Sequence, residues 1–312
     1  MKERDKYDFF VLSDILKSLS VSNYEDYTSY IYKNNDFNHF HDMCKNSVNK
    51  CEYQFGGGKQ IITYEGIEFE FSKYRDEEYT MFGLFTKNDS VKCLLIRINK
   101  KLKSAEILGI GYYPFCFSNK QIKHFKGKTS GSLLLKLALK LIDEIKEYYD
   151  LKKVTLQDNS YKKCYDFNLD LSKMYTLMYG EIWYGNYGFI PYNTANDTID
   201  NFNLKKYKKN KEIMNDIKVK DVSQLKKYLI ESYNNIIKDN KGTDVNELLL
   251  KRDEITKMYN EYKNENKLLK DFIKKFLIKY DKTCLLFYSF YELLYEDLNL
   301  NDLHGKSYVK YL

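Results

Sequence analysis

The sequence predicts an α/β fold of the α+β kind: a mixed, mainly antiparallel sheet flanked by helices. Three observations carry this expectation. Alternating apolar runs broken by short polar turns fill residues 60–113, the apolar period changes to that of a helix between Lys126 and Tyr149, and a short strand pattern, Val154-Thr155-Leu156, follows directly. Strand, glycine-bearing loop, long helix and strand is the order of a crossover unit.

Taken in chain order, residues 1–55 read as a helical segment, with Phe9, Phe10, Leu12, Ile15 and Leu16 on one stripe and Tyr27, Tyr30 and Ile31 beginning another. From Gly56-Gly57-Gly58 the pattern turns to strands. Ile61, Ile62, Tyr64 and then Ile67, Phe69, Phe71 alternate across Glu65-Gly66, a hairpin signal. Further strands are expected over Thr80–Phe85, Val91–Ile98 and Ala105–Tyr113. Leu134, Leu137, Ala138, Leu141, Ile142, Ile145 and Tyr148 then form one helical face, with Lys136, Lys140, Asp143, Glu144 and Glu147 opposite. A second helix is expected from Leu171 to near Gly185, followed by an extended Gly188–Tyr192. Beyond Pro191 the chain reads as helices to its end. Leu268, Leu269, Phe272, Ile273, Phe276, Leu277 and Tyr280 make one apolar face, and Leu248, Ile255, Met258, Tyr259 and Tyr262 another. The expected parts are an N-terminal helical segment (1–55), an α/β domain (56–200) and a basic helical C-terminal domain (201–312).

Composition narrows the function classes. The chain has 312 residues, 43% of them hydrophobic, which is enough to bury a core and excludes a disordered chain. Its 51 Lys and Arg exceed 44 Asp and Glu by 7, and the excess lies in residues 201–280, where 20 basic side chains meet 12 acidic ones. The 31 tyrosines go with a Lys, Asn and Ile bias of the kind an AT-rich viral or microbial genome writes, so they are not read as function. The absence of an 18-residue apolar run and of a signal-like start predicts no membrane association and a cytoplasmic location. The six cysteines (Cys44, Cys51, Cys93, Cys116, Cys164, Cys284) lack paired spacings and are expected to be reduced. His39, His41, Cys44 and Cys51 match no common zinc spacing, and no metal site is expected.

The segment Lys126-Gly127-Lys128-Thr129-Ser130-Gly131-Ser132 opens the best-defined helix. Such a loop directs unpaired N–H groups and the positive end of a helix dipole at one point, which suits a phosphate. A triphosphate loop of the G-x-x-x-x-G-K-[ST] type would need glycine at position 122, where Ile122 stands. The loop instead resembles Q/R-x-x-G-x-G/A, the pyrophosphate loop of the GNAT family of acyl-CoA-dependent N-acyltransferases. Lys126 takes the first position, Thr129 replaces the first glycine, Gly131 is the last, and Leu134-Leu135 supply the leucine pair of the helix. A second motif agrees: Gly180-Glu181-Ile182-Trp183-Tyr184-Gly185-Asn186-Tyr187-Gly188-Phe189 resembles the family's closing A-x-x-h-Y-x-x-x-G-F. The resemblance covers roughly residues 60–195, with an insertion from Phe115 to Phe125 and no obvious last strand after Gly188-Phe189.

The resemblance implies acetyl-CoA as co-substrate and a primary amine, on a small molecule or a protein, as acceptor. It gives Tyr184 the role of protonating the departing thiolate. Glu106, the one carboxylate on its strand, is the candidate base. The backbone of Gly109, Ile110, Gly111 and Tyr112 would hold pantetheine by strand addition, residues 126–132 the diphosphate, and Asn159 would line the same cofactor. The competing expectation is a GNAT-fold interaction protein without catalysis that binds protein or nucleic acid through its basic tail, where Lys205, Lys206, Lys208 and Lys209 flank Tyr207. No Ser, Cys or Asp accompanies His124 or His304 in a triad-like pattern.

Overall fold

The computed structural model describes residues 58–75, 77–85, 92–111, 116–118, 121, 124–125, 131–164, 167–239, 245–279 and 284–312. The helical segment expected over 1–55 and its His39, His41, Cys44 and Cys51 lie outside the described residues. The chain is α/β with mixed, mostly antiparallel strand pairing, and it divides into two compact units, one ending at Leu156 and reclaiming Tyr311–Leu312, the other spanning Gln157–Lys310.

In the first unit β1 (Gly58–Tyr64), β2 (Ile67–Arg75), β3 (Tyr79–Phe85), β4 (Lys92–Asn99) and β5 (Ser104–Ile110) form an antiparallel meander. The β1–β2 hairpin closes across Glu65 and Gly66, whose φ values of 49° and 78° are those a tight primed turn demands. Helix α1 (Gly131–Tyr149) then carries the chain to β6 (Lys153–Gln157), which pairs parallel with β5 from Ser104↔Lys153 to Ile107↔Leu156. The predicted apolar face holds: Leu134, Leu135, Leu137, Ala138, Leu141 and Ile142 are all fully buried, whereas Tyr148 is exposed. The strand expected to reach Tyr113 stops at Ile110.

The inserted segment between Pro114 and Lys126 is anchored on the hairpin. Phe117 and Phe125 are buried against Phe69 at 6.1 and 6.0 Å between ring centroids, and Gln121 Nε2 donates to the Glu68 carbonyl at 3.1 Å. This return of the chain also corrects the expectation of reduced thiols: Cys93 on β4 and Cys116, 23 positions apart, form a disulfide. Their pairing is tertiary, set up where the Gly111 N–H donates to the Cys93 carbonyl at 2.9 Å, so no sequence spacing announces it.

In the second unit β7 (Tyr161–Cys164) and β8 (Phe167–Asp170) form a small hairpin leading into α2 (Leu171–Tyr179). Asp170 caps that helix by accepting from the Ser172 and Lys173 amides. The helix expected to run to Gly185 ends at Gly180, whose φ of 73° is the left-handed stop, and the chain continues as a separate 3-10 turn, Trp183–Tyr187. Strand β9 (Ile190–Asn193) pairs antiparallel with β10 (Thr198–Ile199), and then α3 (Asn201–Asp216), α4 (Leu225–Asp239), α5 (Val245–Asn264), α6 (Leu269–Lys279) and α7 (Cys284–Asp297) follow. The all-helical end expected after Pro191 is corrected by β11 (Ser307–Tyr311), which pairs antiparallel with β9 through Tyr308↔Pro191 and Val309↔Ile190. It supplies the last strand that the sequence hid behind more than a hundred intervening residues.

Peptide mapping without reductant is expected to recover the Cys93 peptide joined to the Cys116 peptide. Replacing both by serine should cost about 3 kcal/mol of stability in thermal or urea unfolding, the entropy of closing a loop of this length. Unlinked peptides and unchanged stability would refute the bridge.

Candidate functional site

Of the residues singled out in sequence, the first unit describes Glu106, Gly109, Ile110, Gly111, Gly131 and Ser132; Tyr112 and Lys126–Ser130 lie outside the described residues. Pairing between β5 and β6 ends at Ile107↔Leu156, while β5 runs on through Leu108 and Gly109 to Ile110 along β4. The β4–β5 register shifts between Leu95 and Ile96, so that Leu95 faces Gly109 and Ile96 faces Ile107, leaving Leu108 as the extra residue of a bulge. Beyond Ile107 the backbone of β5 therefore has no β6 partner, and α1 starts downstream on the same crossover at Gly131.

Glu106 lies on the paired part of β5. Arg97 of β4 holds it across the strands, with Nη2 at 2.5 Å and Nε at 3.1 Å from Oε2, and the Arg97 guanidinium stands over the Tyr79 ring at 5.3 Å. Both acid and base are partly exposed, so this is a cross-strand ion pair of modest energy.

Tyr184 stands in the second unit, in the 3-10 turn that the Gly180 stop makes possible. Its ring is buried among Trp183, Phe189 and Tyr308, at centroid separations of 4.8, 6.2 and 6.3 Å. Its hydroxyl makes no hydrogen bond to a described residue. Burial, reinforced by the charge of Asp158, pushes the phenol well above its ordinary pKa, so the proton stays on it.

Asn159, expected to line a cofactor, is exposed, and it is the preceding Asp158 that turns inward. Asp158 is fully buried. Its Oδ1 accepts from the Ser160 amide at 3.1 Å and from the Ser160 hydroxyl, while Oδ2 is buried with no hydrogen-bond partner. Its backbone is stapled to the turn before β11, with its N–H donating to the Lys306 carbonyl at 2.9 Å and its carbonyl accepting from Gly305 at 2.7 Å. Burial raises the Asp158 carboxyl to about 6, against the Ser160 hydrogen bonds that favour its ionised form. A signal for this residue was present in the sequence: Val154, Leu156 and Asp158 follow the period of a strand, which carries the inward face onto a carboxylate.

The same turn brings His304 to Asp170, an arrangement the sequence did not announce. Nδ1 lies 3.3 Å from Oδ1, an ion-pair separation without hydrogen-bond geometry. Asp170 raises the imidazole's pKa against the effect of burial. Burial in turn pushes Asp170 up, but His304 and the cap hydrogen bonds outweigh it and hold the carboxyl low. Nearby, Lys173 reaches Glu292 at 2.9 Å and Asp302 at 3.3 Å. Among the described residues no group of three or more His, Cys, Asp and Glu is arranged to hold a metal.

In the basic helix α3, Tyr207 does not stand among the lysines on the surface. It is turned inward, its hydroxyl donating to buried Glu181 at 3.1 Å beside Lys211 at 2.8 Å, so the lysine cluster lacks the aromatic platform that its sequence suggested. No described helix is long and apolar enough to cross a membrane. No family model, curated protein or solved structure matches this chain.

The titrating groups give the second unit a definite pH response. A carboxyl raised to about 6 from 3.8 loses stability as pH rises through that interval, and an imidazole raised above 6.5 loses its contribution at higher pH still. Asp170, lowered, forfeits its contribution only as pH falls below the ordinary carboxylate range. Urea unfolding should therefore show stability declining from pH 5 to pH 8, and Asp158→Asn should flatten the lower half of the decline and gain about 1–3 kcal/mol at pH 8. A variant that is less stable than wild type at pH 8 would contradict a buried, unmatched carboxylate.

Proposed function

We propose that the chain is an acetyl-CoA-dependent N-acetyltransferase acting on a primary amine. The observation that carries this reading is the β5–α1–β6 crossover: a strand whose backbone outruns its parallel partner at a bulge, followed on the same connection by a helix that opens at Gly131 and Ser132. An extended backbone edge followed by a helix N-terminus suits a ligand that is amide-bearing along one part and anionic at the other, as pantetheine diphosphate is. Leu134 and Leu135, the pair the resemblance singled out, are both fully buried and fix that helix.

The chemistry then follows from named groups. A neutral amine attacks the thioester carbonyl, the tetrahedral oxyanion collapses, and the leaving thiolate takes a proton. Tyr184, held protonated by its burial, enters as the donor of that proton. The oxygens of Glu106 are engaged by Arg97, so the reading rests its catalytic weight on Tyr184.

Calorimetric titration of acetyl-CoA should show micromolar binding that Gly131→Glu abolishes by placing bulk and charge at the helix start. Tyr184→Phe should keep the binding and slow CoA release by about a hundredfold, the typical size of one acid–base contribution. Absence of acetyl-CoA binding by the wild type would leave the chain as a non-catalytic interaction protein.

A further inference from the structure

The interior of the second unit holds two polar groups of opposite need, and neither is matched. Asp158 Oδ2 is a buried acceptor with no donor, although its sister oxygen takes two donors from Ser160. Tyr184 is a buried donor whose hydroxyl meets no described acceptor. Buried groups of this kind are nearly always satisfied, and leaving one bare costs about 1–3 kcal/mol, so an unmatched pair in one interior calls for a physical reason. The surrounding framework is rigid. The backbone of Asp158 is fixed on both sides to Gly305 and Lys306, and Tyr184 is wedged among Trp183, Phe189 and Tyr308.

We propose that Asp158 and Tyr184 form a proton relay, in which the carboxyl of Asp158 returns the proton that Tyr184 gives away. The inference rests on the acyltransferase reading. In the step itself, the phenol O–H bond of Tyr184 breaks and an S–H bond forms on the departing CoA thiolate, leaving a phenolate. The O–H bond of protonated Asp158 then breaks as the phenol O–H re-forms, leaving a carboxylate. The proton shed by the acylated nitrogen passes through solvent and recharges Asp158, so one proton moves in net from nitrogen to sulfur.

The electrostatics explain why the partner has to be protonated. An ionised Asp158 opposes a phenolate beside it and makes Tyr184 a poor acid, whereas neutral Asp158 removes that opposition and holds the replacement proton. The charged groups that bear on Asp158 are Asp170, which favours its protonated form, and His304, which opposes it when charged. Asp158 binds its proton near pH 6 because it is buried, which places the relay in a usable range. Tyr308, in ring contact with Tyr184, bonds its own hydroxyl to the Leu303 carbonyl at 2.9 Å and is occupied.

The test follows CoA release chromatographically from pH 5 to 9, with spermidine, a lysine tetrapeptide or water as acceptor, for wild type, Asp158→Asn, Tyr184→Phe and the double variant. The relay predicts that wild-type kcat carries a limb that falls as pH rises through about 6, and that Asp158→Asn removes this limb and slows kcat about tenfold. It also predicts that the double variant is no slower than Tyr184→Phe, because both residues lie on one proton path. If Asp158→Asn equals or exceeds the wild-type rate, or if the two losses multiply, the relay is overturned while the acyltransferase reading stands. If wild type binds no acetyl-CoA, or binds it and releases no CoA to any of the three acceptors, the acyltransferase reading itself fails and the relay with it. Should Asp158→Asn not fold, the wild-type pH profile against that of Tyr184→Phe decides the matter: the limb near pH 6 has to vanish with the phenol hydroxyl.

Discussion

The leucine face of α1 is the constraint on which the rest of the first unit depends. Six fully buried apolar side chains along one stripe, each contributing on the order of 1–3 kcal/mol, hold the helix to the strands. With α1 held, β5 and β6 run parallel, because the chain must cross the sheet to return. The bulge at Leu108 and the end of pairing at Ile107 then leave the last residues of β5 tied to β4 alone. The Cys93–Cys116 bridge and the phenylalanines of the insertion secure the chain as it leaves that strand.

The second unit is organised around polar groups to an unusual degree. The turn before β11 is held by Asp158 through its backbone, by Lys173 through Asp302, and by Asn210, whose side chain bonds Asn301 in both directions at 2.8 Å. Glu181, buried, joins the loop after α2 to Tyr207 and Lys211 of α3. Such contacts specify one arrangement more than they add stability, since each charge removed from water offsets most of what its partner returns. Asp158 departs from this pattern because one oxygen has a partner and the other has none.

What could be read from the sequence was what local periodicity encodes. The β1–β2 hairpin, α1, β6 and the buried faces of α5 and α6 all follow from residues close together in the chain. Elements defined by distant partners were not readable: β11 depends on β9, and the disulfide on a return of the chain after Gly111. The early end of α2 was misread because Gly180 sits where the closing motif tolerates a small residue, and its second role as a left-handed stop is conformational. The candidate site was legible in part. Tyr184 stood out by motif, while Asp158 was passed over for its neighbour Asn159, although the strand alternation pointed to it. His304 and Asp170 meet only in the folded chain, 134 positions apart in number but 3.3 Å apart in space.

The most direct measurement of the central claim, that β5 and the start of α1 together hold acetyl-CoA, is amide hydrogen exchange with and without the cofactor. The account predicts slowed exchange concentrated at Leu108–Gly111 and across residues 127–135, with β1 to β3 unchanged. Protection confined to the basic helices, or none at β5 and α1 under saturating acetyl-CoA, would contradict it.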